Sequence, residues 1–288
     1  MALGPYETQT GDNLSVIAAA AGMTEEELGA ANPDHPIKNW WRRPIQWNEA
    51  GAVVWIEGSG ATVTVQTFVN ASGTFEKADY PGIAYVEVAV VGGGGGGGGA
   101  SACDPGEVSC GAGGGAGGVG YRTLLASELA AVETIVVGTG GAGATVADPN
   151  NATNGQASTA FGITANGGTK GDGTISLGYT FANADPGTGG AVTGTYDRRH
   201  RGVKGAPPVV TPSRNTGGNG ASSPFGRGGN GGNAVTATGA NGGWGECGGG
   251  GGGGINRAEI AVDRTGGNGG DGCVYVWVYT VVLVALTI

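Results

Sequence analysis

Histidine occurs only twice in this chain, as His35 and His200, and cysteine only four times. With so few of either, no metal-ligand spacing and no Ser/His/Asp or Cys/His arrangement can be argued from the sequence. Charge is also sparse: Asp, Glu, Lys and Arg make up 13% of the residues, with a formal net charge of −9. That acidic balance speaks against nucleic acid as a partner, because neutralising phosphates needs a basic face. The low charge content also separates the chain from ordinary disordered proteins, which are highly charged and poor in β-branched residues. "MALGPYETQTGD" lacks the basic and apolar blocks of a secretion signal. "CVYVWVYTVVLVALTI" is uncharged but shorter than the about 20 residues of a spanning helix. Rich in Val, Thr and aromatics, it reads as a buried strand or strand pair, so no membrane is expected. GxGxxG matches fall inside the glycine runs, but none has the strand, helix and later acidic residue of a dinucleotide site, and GxxxxGK[ST] is missing. No catalytic residue, cofactor or metal is expected, and the chain is read as a non-enzyme.

What the chain has is glycine. Its 66 glycines and 12 prolines exceed a quarter of the 288 residues, a level that by itself suggests low complexity. Residues 92–273 hold 57 of the 66 glycines and residues 1–91 hold 9, a shift that marks a compositional boundary near Val91; the domains are read as a front module at 1–58 and a glycine-rich domain, with strands at both ends, at 59–288. Collagen is excluded, because "GGGGGGGG" and "NAVTATGANGG" keep no three-residue register throughout. The segment "YVEVAVVGGGGGGGGA" at 85–100 runs an alternating strand directly into polyglycine. Further strands are expected at 63–67, 120–125, 134–137, 258–262 and 273–284. A disordered tail has no need of patterned strands on both sides of it. Glycine can fold here as polyglycine II, an open helix of about three residues per turn and roughly 3.1 Å rise with no internal hydrogen bonds. Its N–H and C=O groups point outward and must find partners. Ordering each residue costs on the order of 1–2 kcal/mol, and one hydrogen bond returns only about 1 kcal/mol net. Isolated pairs should therefore fail, whereas a lattice anchored on a β base can succeed. Tracts 92–99, 111–120, 138–143, 226–233, 239–254 and 266–272 are its expected rods, with "ADPNNATNG" and "TGTYDRRHRGVKGAPPVVTPSRN" as distal loops.

In the front module, "YETQT" reads as a strand and Gly11–Asp12 as a turn. Apolar residues 15–21 suggest one helix, and Thr24 with Glu27 forms a capping box for a second at about 25–31. Asn32–Pro33 ends it, and a strand at 52–56 would pair with the first. "GDNLSVIA", "GMTEEEL" and "ANPD" at these spacings resemble a LysM domain. The resemblance implies a small α/β βααβ module, and a glycan-binding groove lined by Gly11, Asp12, Asn13, Asn32, Pro33 and Asp34. The segment that follows is longer than is usual in that family and carries Trp40, Trp41 and Trp47. Trp and Arg are favoured anchors of protein contacts, so docking onto another protein stands beside glycan binding.

From about Thr67 to Val278 the chain resembles the glycine-rich domain of bacteriophage minor tail proteins and tail-fibre adhesins, through "SGTFEKADYPGIAYVEVAVVGGGGGGGG", "TIVVGTGGAGA", "GQASTAFGITANGG" and "GGNGGDGCVYVWVY". The resemblance implies a virion protein at the tail tip, facing the host cell. Its implied partners are other tail proteins, like copies in a homotrimer, and a host cell-surface glycan or wall polymer. The competing reading is a peptidoglycan-binding cell-wall protein that uses the LysM-like groove. The expected fold class is accordingly a small α/β LysM-like module, followed by an all-β base carrying packed polyglycine II helices. "YDRRHRGVK" is the candidate receptor-contact loop: Tyr196, Arg198, Arg199, Arg201 and Lys204 cluster in an otherwise acidic chain, and clustered Arg suits phosphate. Cys103 and Cys110 flank the turn-like "DPGEVS" and could form a disulfide or remain free thiols.

Overall fold

A computed structural model describes residues 71–145, 151–177, 184–211, 215–234, 239–257 and 262–281, with the strands Tyr6–Glu7, Val53–Val54 and Ala61–Val69. The chain divides into two compact units, one of residues 1–64, 80–84 and 279–288, the other of 65–79 and 85–278. In the first, Tyr6–Glu7 pairs antiparallel with Val53–Val54, with Tyr6 opposite Val54.

The expected α/β front module is corrected by the structure. The described residues contain strands and two single-turn 3₁₀ segments, Lys77–Asp79 and Ala126–Glu128, and no α-helix. The architecture is all-β, built of several antiparallel sheets. The helices expected at 15–21 and 25–31 lie outside the described residues. Their signals were local, and helices of about two turns have little stability of their own because nucleation is costly.

The second unit is organised around its glycine tracts. Rod 92–98 donates in strict rotation: Gly92 N to Gly118 O, Gly93 N to Gln156 O and Gly94 N to Gly270 O, then Gly95, Gly96 and Gly97 to the same three rods in turn. Its carbonyls accept from three further rods, for example from Gly141, Gly168 and Gly251 N–H groups. Rods 111–118 and 248–254 are surrounded in the same way. These three rods contact one another and form the interior. Around them stand 138–144, 151–157, 166–172, 185–191, 202–206, 217–221, 228–232, 242–246 and 266–272. A three-residue period that satisfies neighbours on every side is the hydrogen-bonding pattern of packed polyglycine II helices.

Sterics explain the composition. A Cβ on Gly94 would fall on the Gly249 carbonyl, one on Gly95 on that of Thr169, and one on Gly96 on that of Ala142. Peripheral rods need a bare backbone only where they face inward. Hence Gly168 and Gly171, Gly187 and Gly190, and Gly202 and Gly205 recur at every third position, with Thr169, Lys170, Thr188, Val203 and Lys204 among the residues between them. Outer amides are closed by side chains. Asp271 Oδ1 accepts from Gly140 N (2.6 Å) and Asn268 Oδ1 from Gly143 N (2.9 Å), again three residues apart. Thr153 Oγ1 accepts from Ala142 N, and Asn219 Oδ1 from Gly231 N. "GGNGA" at 217–221 and "GGNGGDG" at 266–272 are thus edge pieces of the lattice, whose polar side chains do what a further rod would do.

Sheets close both ends of the rods. At one end, the base, the strand order is Arg198–His200, Val119–Leu125, Ile83–Val91, Cys273–Val281, Ala61–Val69. Rods 92–98, 111–118 and 266–272 run directly into these strands. One face buries Val86, Val88, Val90, Val274, Val276 and Val278. A Cβ on Gly120 would meet the Ile163 and Val192 side chains, which places the sheet Val192–Gly194, Ile163–Ala165, Ser158–Ala160 against that face. At the opposite end, Gly173–Leu177, Glu107–Gly111, Ile255–Arg257 and Gly239–Ala240 form a second sheet around Val108, Cys110 and Ile255. No helix among the described residues is long and apolar enough to cross a membrane.

Candidate functional site

The strand Arg198–His200 lies on the edge of the base sheet, with Arg198 opposite Tyr121 and His200 opposite Val119. The turn before it is fixed from both sides: Thr195 N donates to Gly162 O, and Asp197 N to Tyr121 O. The Asp197 carboxylate accepts from Thr123 N at 2.6 Å. Strand alternation then brings Arg198 over the Tyr121 ring, with Cζ 4.4 Å from the centroid, and sets the His200 ring edge-on to the same tyrosine at 5.8 Å. Burial raises the Tyr121 pKa, and the Arg198 charge opposes that rise.

From Tyr121 a row of half-buried aromatic rings crosses this face of the sheet. Phe225 lies 6.3 Å from Tyr121, Tyr275 stacks on Phe225 at 5.1 Å, and Trp277 on Tyr275 at 5.8 Å. Phe225 reaches the row from a tight loop. Ser223 Oγ donates to Cys247 O and accepts from Phe225 N, while the Cys247–Cys273 disulfide holds that loop's neighbour to the sheet. Val91, Val119 and Cys273 form the buried floor beneath. The rings pack on each other in sequence, so the row braces the sheet and positions Arg198.

Arg199 packs its guanidinium 5.1 Å from the Tyr196 ring, with Nη1 donating to Val192 O at 3.3 Å. Arg201 and Lys204 are exposed, and Lys204 projects from rod 202–206. The structure therefore brings Tyr196 to Arg199 and Arg198 to Tyr121, on opposite faces of the edge strand, with Arg201 and Lys204 exposed further along the chain. Among the described residues none of the four cations forms an ion pair. A guanidinium resting on a ring, as that of Arg198 does on Tyr121, keeps its N–H edge free for a bidentate anion. The stretch expected as a distal loop is instead an edge strand and a rod at the base end. Gly11, Asp12, Asn13, Asn32, Pro33, Asp34, Trp40 and Trp41 lie outside the described residues. Tyr121, Phe225, Tyr275 and Trp277 were not singled out from the sequence. The alternation Cys273, Tyr275, Trp277 was the available signal for half of the row.

At the opposite end, Ser109 Oγ accepts from Ser101 N and donates to Thr174 O, and Asn256 Nδ2 donates to the Ser101 and Val262 carbonyls. Cys103 and Cys110 are free and buried beside this network. Burial pushes the Cys103 thiol up to about 11 and the Cys110 thiol up to about 12, with nearby acidic residues adding to the first and Cys103 to the second. Both folded values lie above the ordinary 9.0, so the stabilisation from keeping these thiols neutral is complete below about pH 9 and is lost as pH rises toward 11 and 12. In native protein at pH 8, both thiols should resist a soluble aromatic disulfide reagent for hours and react at once after unfolding in denaturant. Rapid labelling without denaturant would contradict this burial. No group of three His, Cys, Asp or Glu residues placed to hold a metal occurs among the described residues.

No curated protein matches the chain significantly. A family model described as a glycine-rich domain matches residues 69–279, which spans the rods and the strands of both end sheets apart from residues 61–68 of Ala61–Val69 and the last two residues of Cys273–Val281. By that match, and with the lattice it covers, the chain belongs to the glycine-rich domain family.

Proposed function

We propose that the chain is a structural and adhesive protein of a bacteriophage tail tip. The observation that carries this reading is the lattice: a body whose main chain is bonded on all sides, held between two β ends, suits a part that must present loops rigidly at a distance from its attachment. The resemblance of 67–278 to phage minor tail proteins supports the same reading. In it, the chain contacts other tail proteins and like copies in a trimer, and faces a host cell-surface glycan or wall polymer. The basic edge formed by Arg198, Arg199, Arg201 and Lys204 is the candidate contact for an anionic cell-surface polymer.

Two measurements test the proposal separately. Gold-labelled antibody against the chain should mark the tail tip in images of particles; label on the capsid or on no particle overturns the assignment. Particles with all four cations changed to Gln should adsorb to host cells several-fold more slowly if the basic edge meets the receptor. Unchanged adsorption removes that role from the basic edge.

A further inference from the structure

The wall formed by rods 228–232, 242–246 and 266–272 carries Trp244, whose residue is 77% exposed. Its backbone is held on both sides. Gly243 N donates to Asn230 O at 2.7 Å and Gly245 N to Asn268 O at 2.9 Å, so the indole stands between the rods bearing Asn230 and Asn268. Beneath it, Gly252 N donates to Gly243 O, which ties the rod to the interior. No ring or cation among the described residues packs on the indole. The surrounding outward residues are amides: Asn230, Asn241 and Asn268 are all exposed. Asn241 Oδ1 is occupied by Thr265 N and Asn268 Oδ1 by Gly143 N, which leaves both Nδ2 groups as outward donors with fixed orientation. The amide of Asn230 has no intramolecular partner among the described residues. Asn241 lies one turn from Trp244 along the same rod, about 9 Å at the polyglycine II rise.

We infer that this wall is a binding site for a neutral oligosaccharide. A pyranose ring has an apolar C–H face that fits flat on an indole, and hydroxyls around its rim that pair with amide donors and acceptors. A single bare aromatic ring among fixed amides matches that ligand. A protein interface would call for a larger contiguous apolar patch than one ring. The rotational entropy lost on binding is small, because the lattice already fixes the backbone under the ring and the oxygens of two of the amides. Glu246, at the end of the Trp244 rod, donates its N–H to the Arg227 carbonyl, so one charge of each sign lies at this end of the site and the pair favours a sugar without net charge. The inference deepens the adhesin reading, naming the ligand class and the residues that would hold it.

The test is calorimetric titration of the full chain with three neutral pentasaccharides: α-linked glucose, β-linked glucose and β-linked N-acetylglucosamine. At least one should bind, with an affinity that changes less than twofold between 50 and 500 mM salt. Trp244→Ala should weaken it at least tenfold, and Trp244→Tyr by less than threefold. Because the side chain is exposed, both variants should melt with the parent. Absence of binding to all three sugars, or equal binding by Trp244→Ala, overturns the inference. So does a change of sedimentation coefficient in Trp244→Ala, which would make this wall a contact between copies. Antibody labelling of the tail tip does not depend on Trp244, so failure here leaves the tail assignment standing on its own test.

Discussion

Gly95→Ala is expected to prevent accumulation of folded protein, or to destabilise it by more than about 4 kcal/mol, a value reached only by severe core defects. Gly95 donates to Gly115 O and accepts from Gly251 N, both at 2.9 Å, so it joins all three interior rods. An added Cβ falls on the Thr169 carbonyl, which is backbone and cannot rotate aside. Relief requires parting two rods, and every bond between them is a main-chain bond that would be left unpaired away from water. Total stabilities are about 5–15 kcal/mol, so one methyl consumes much of the margin. The interior is not closed to all methyls. Ala112 and Ala116 are fully buried in rod 111–118, so the expected loss is specific to positions whose Cβ meets backbone. Thr139→Ala, on an exposed rod position, should change stability by less than about 0.5 kcal/mol. Thermal unfolding of the two variants side by side decides the point; similar melting of Gly95→Ala and parent would contradict the packing described here.

Removing the Cys247–Cys273 disulfide should have the next largest effect. The two cysteines are 26 residues apart in sequence, so the cross-link is expected to contribute about 3.5 kcal/mol by restricting the unfolded chain. The bond also ties the turn between rods 242–246 and 248–254 to the strand Cys273–Val281, beneath Phe225 and Tyr275. With both cysteines changed to Ser, the melting temperature should fall by roughly 5–10 °C. Cys103→Ser with Cys110→Ser leaves this bond intact and serves as the comparison for thiol loss. A loss below about 1 kcal/mol on removing the disulfide would show that the lattice alone holds this end together.

The end sheets were legible because alternation is a strong local signal. Tyr85–Val91 reads as a strand and is one, and so is all of 120–125; 273–284 is strand through Val281, with its last three residues and most of the strand expected at 258–262 outside the described residues. The uninterrupted tracts 92–98 and 248–254 were legible as rods, because only bare backbone survives where neighbours stand on every side. The mixed rods were not. Residues 151–157 and 202–206, within segments expected as loops, and 185–191, between tracts, carry Thr, Lys, Val, Pro or Gln at the positions that face out. Their glycines or alanines recur only every third residue over two turns, too short a run to stand out in so glycine-rich a chain. The cysteine pairing was equally hidden: Cys103 and Cys110 flank a turn, yet the bond joins Cys247 to Cys273, which the lattice brings together. The α/β reading of the front rested on capping and spacing signals over short segments. Trp244 stood in plain sight as the one aromatic inside a glycine tract, but whether it faced a neighbour or solvent depended on which rods surround it.

Glycyl amides in the interior rods are bonded to neighbouring rods in three directions. Native-state hydrogen exchange with residue resolution tests it directly. Amides of 92–98, 111–118 and 248–254 should exchange only through global unfolding, with one common opening free energy and denaturant dependence. Exchange of these amides at the rate of an unstructured glycine peptide would contradict it.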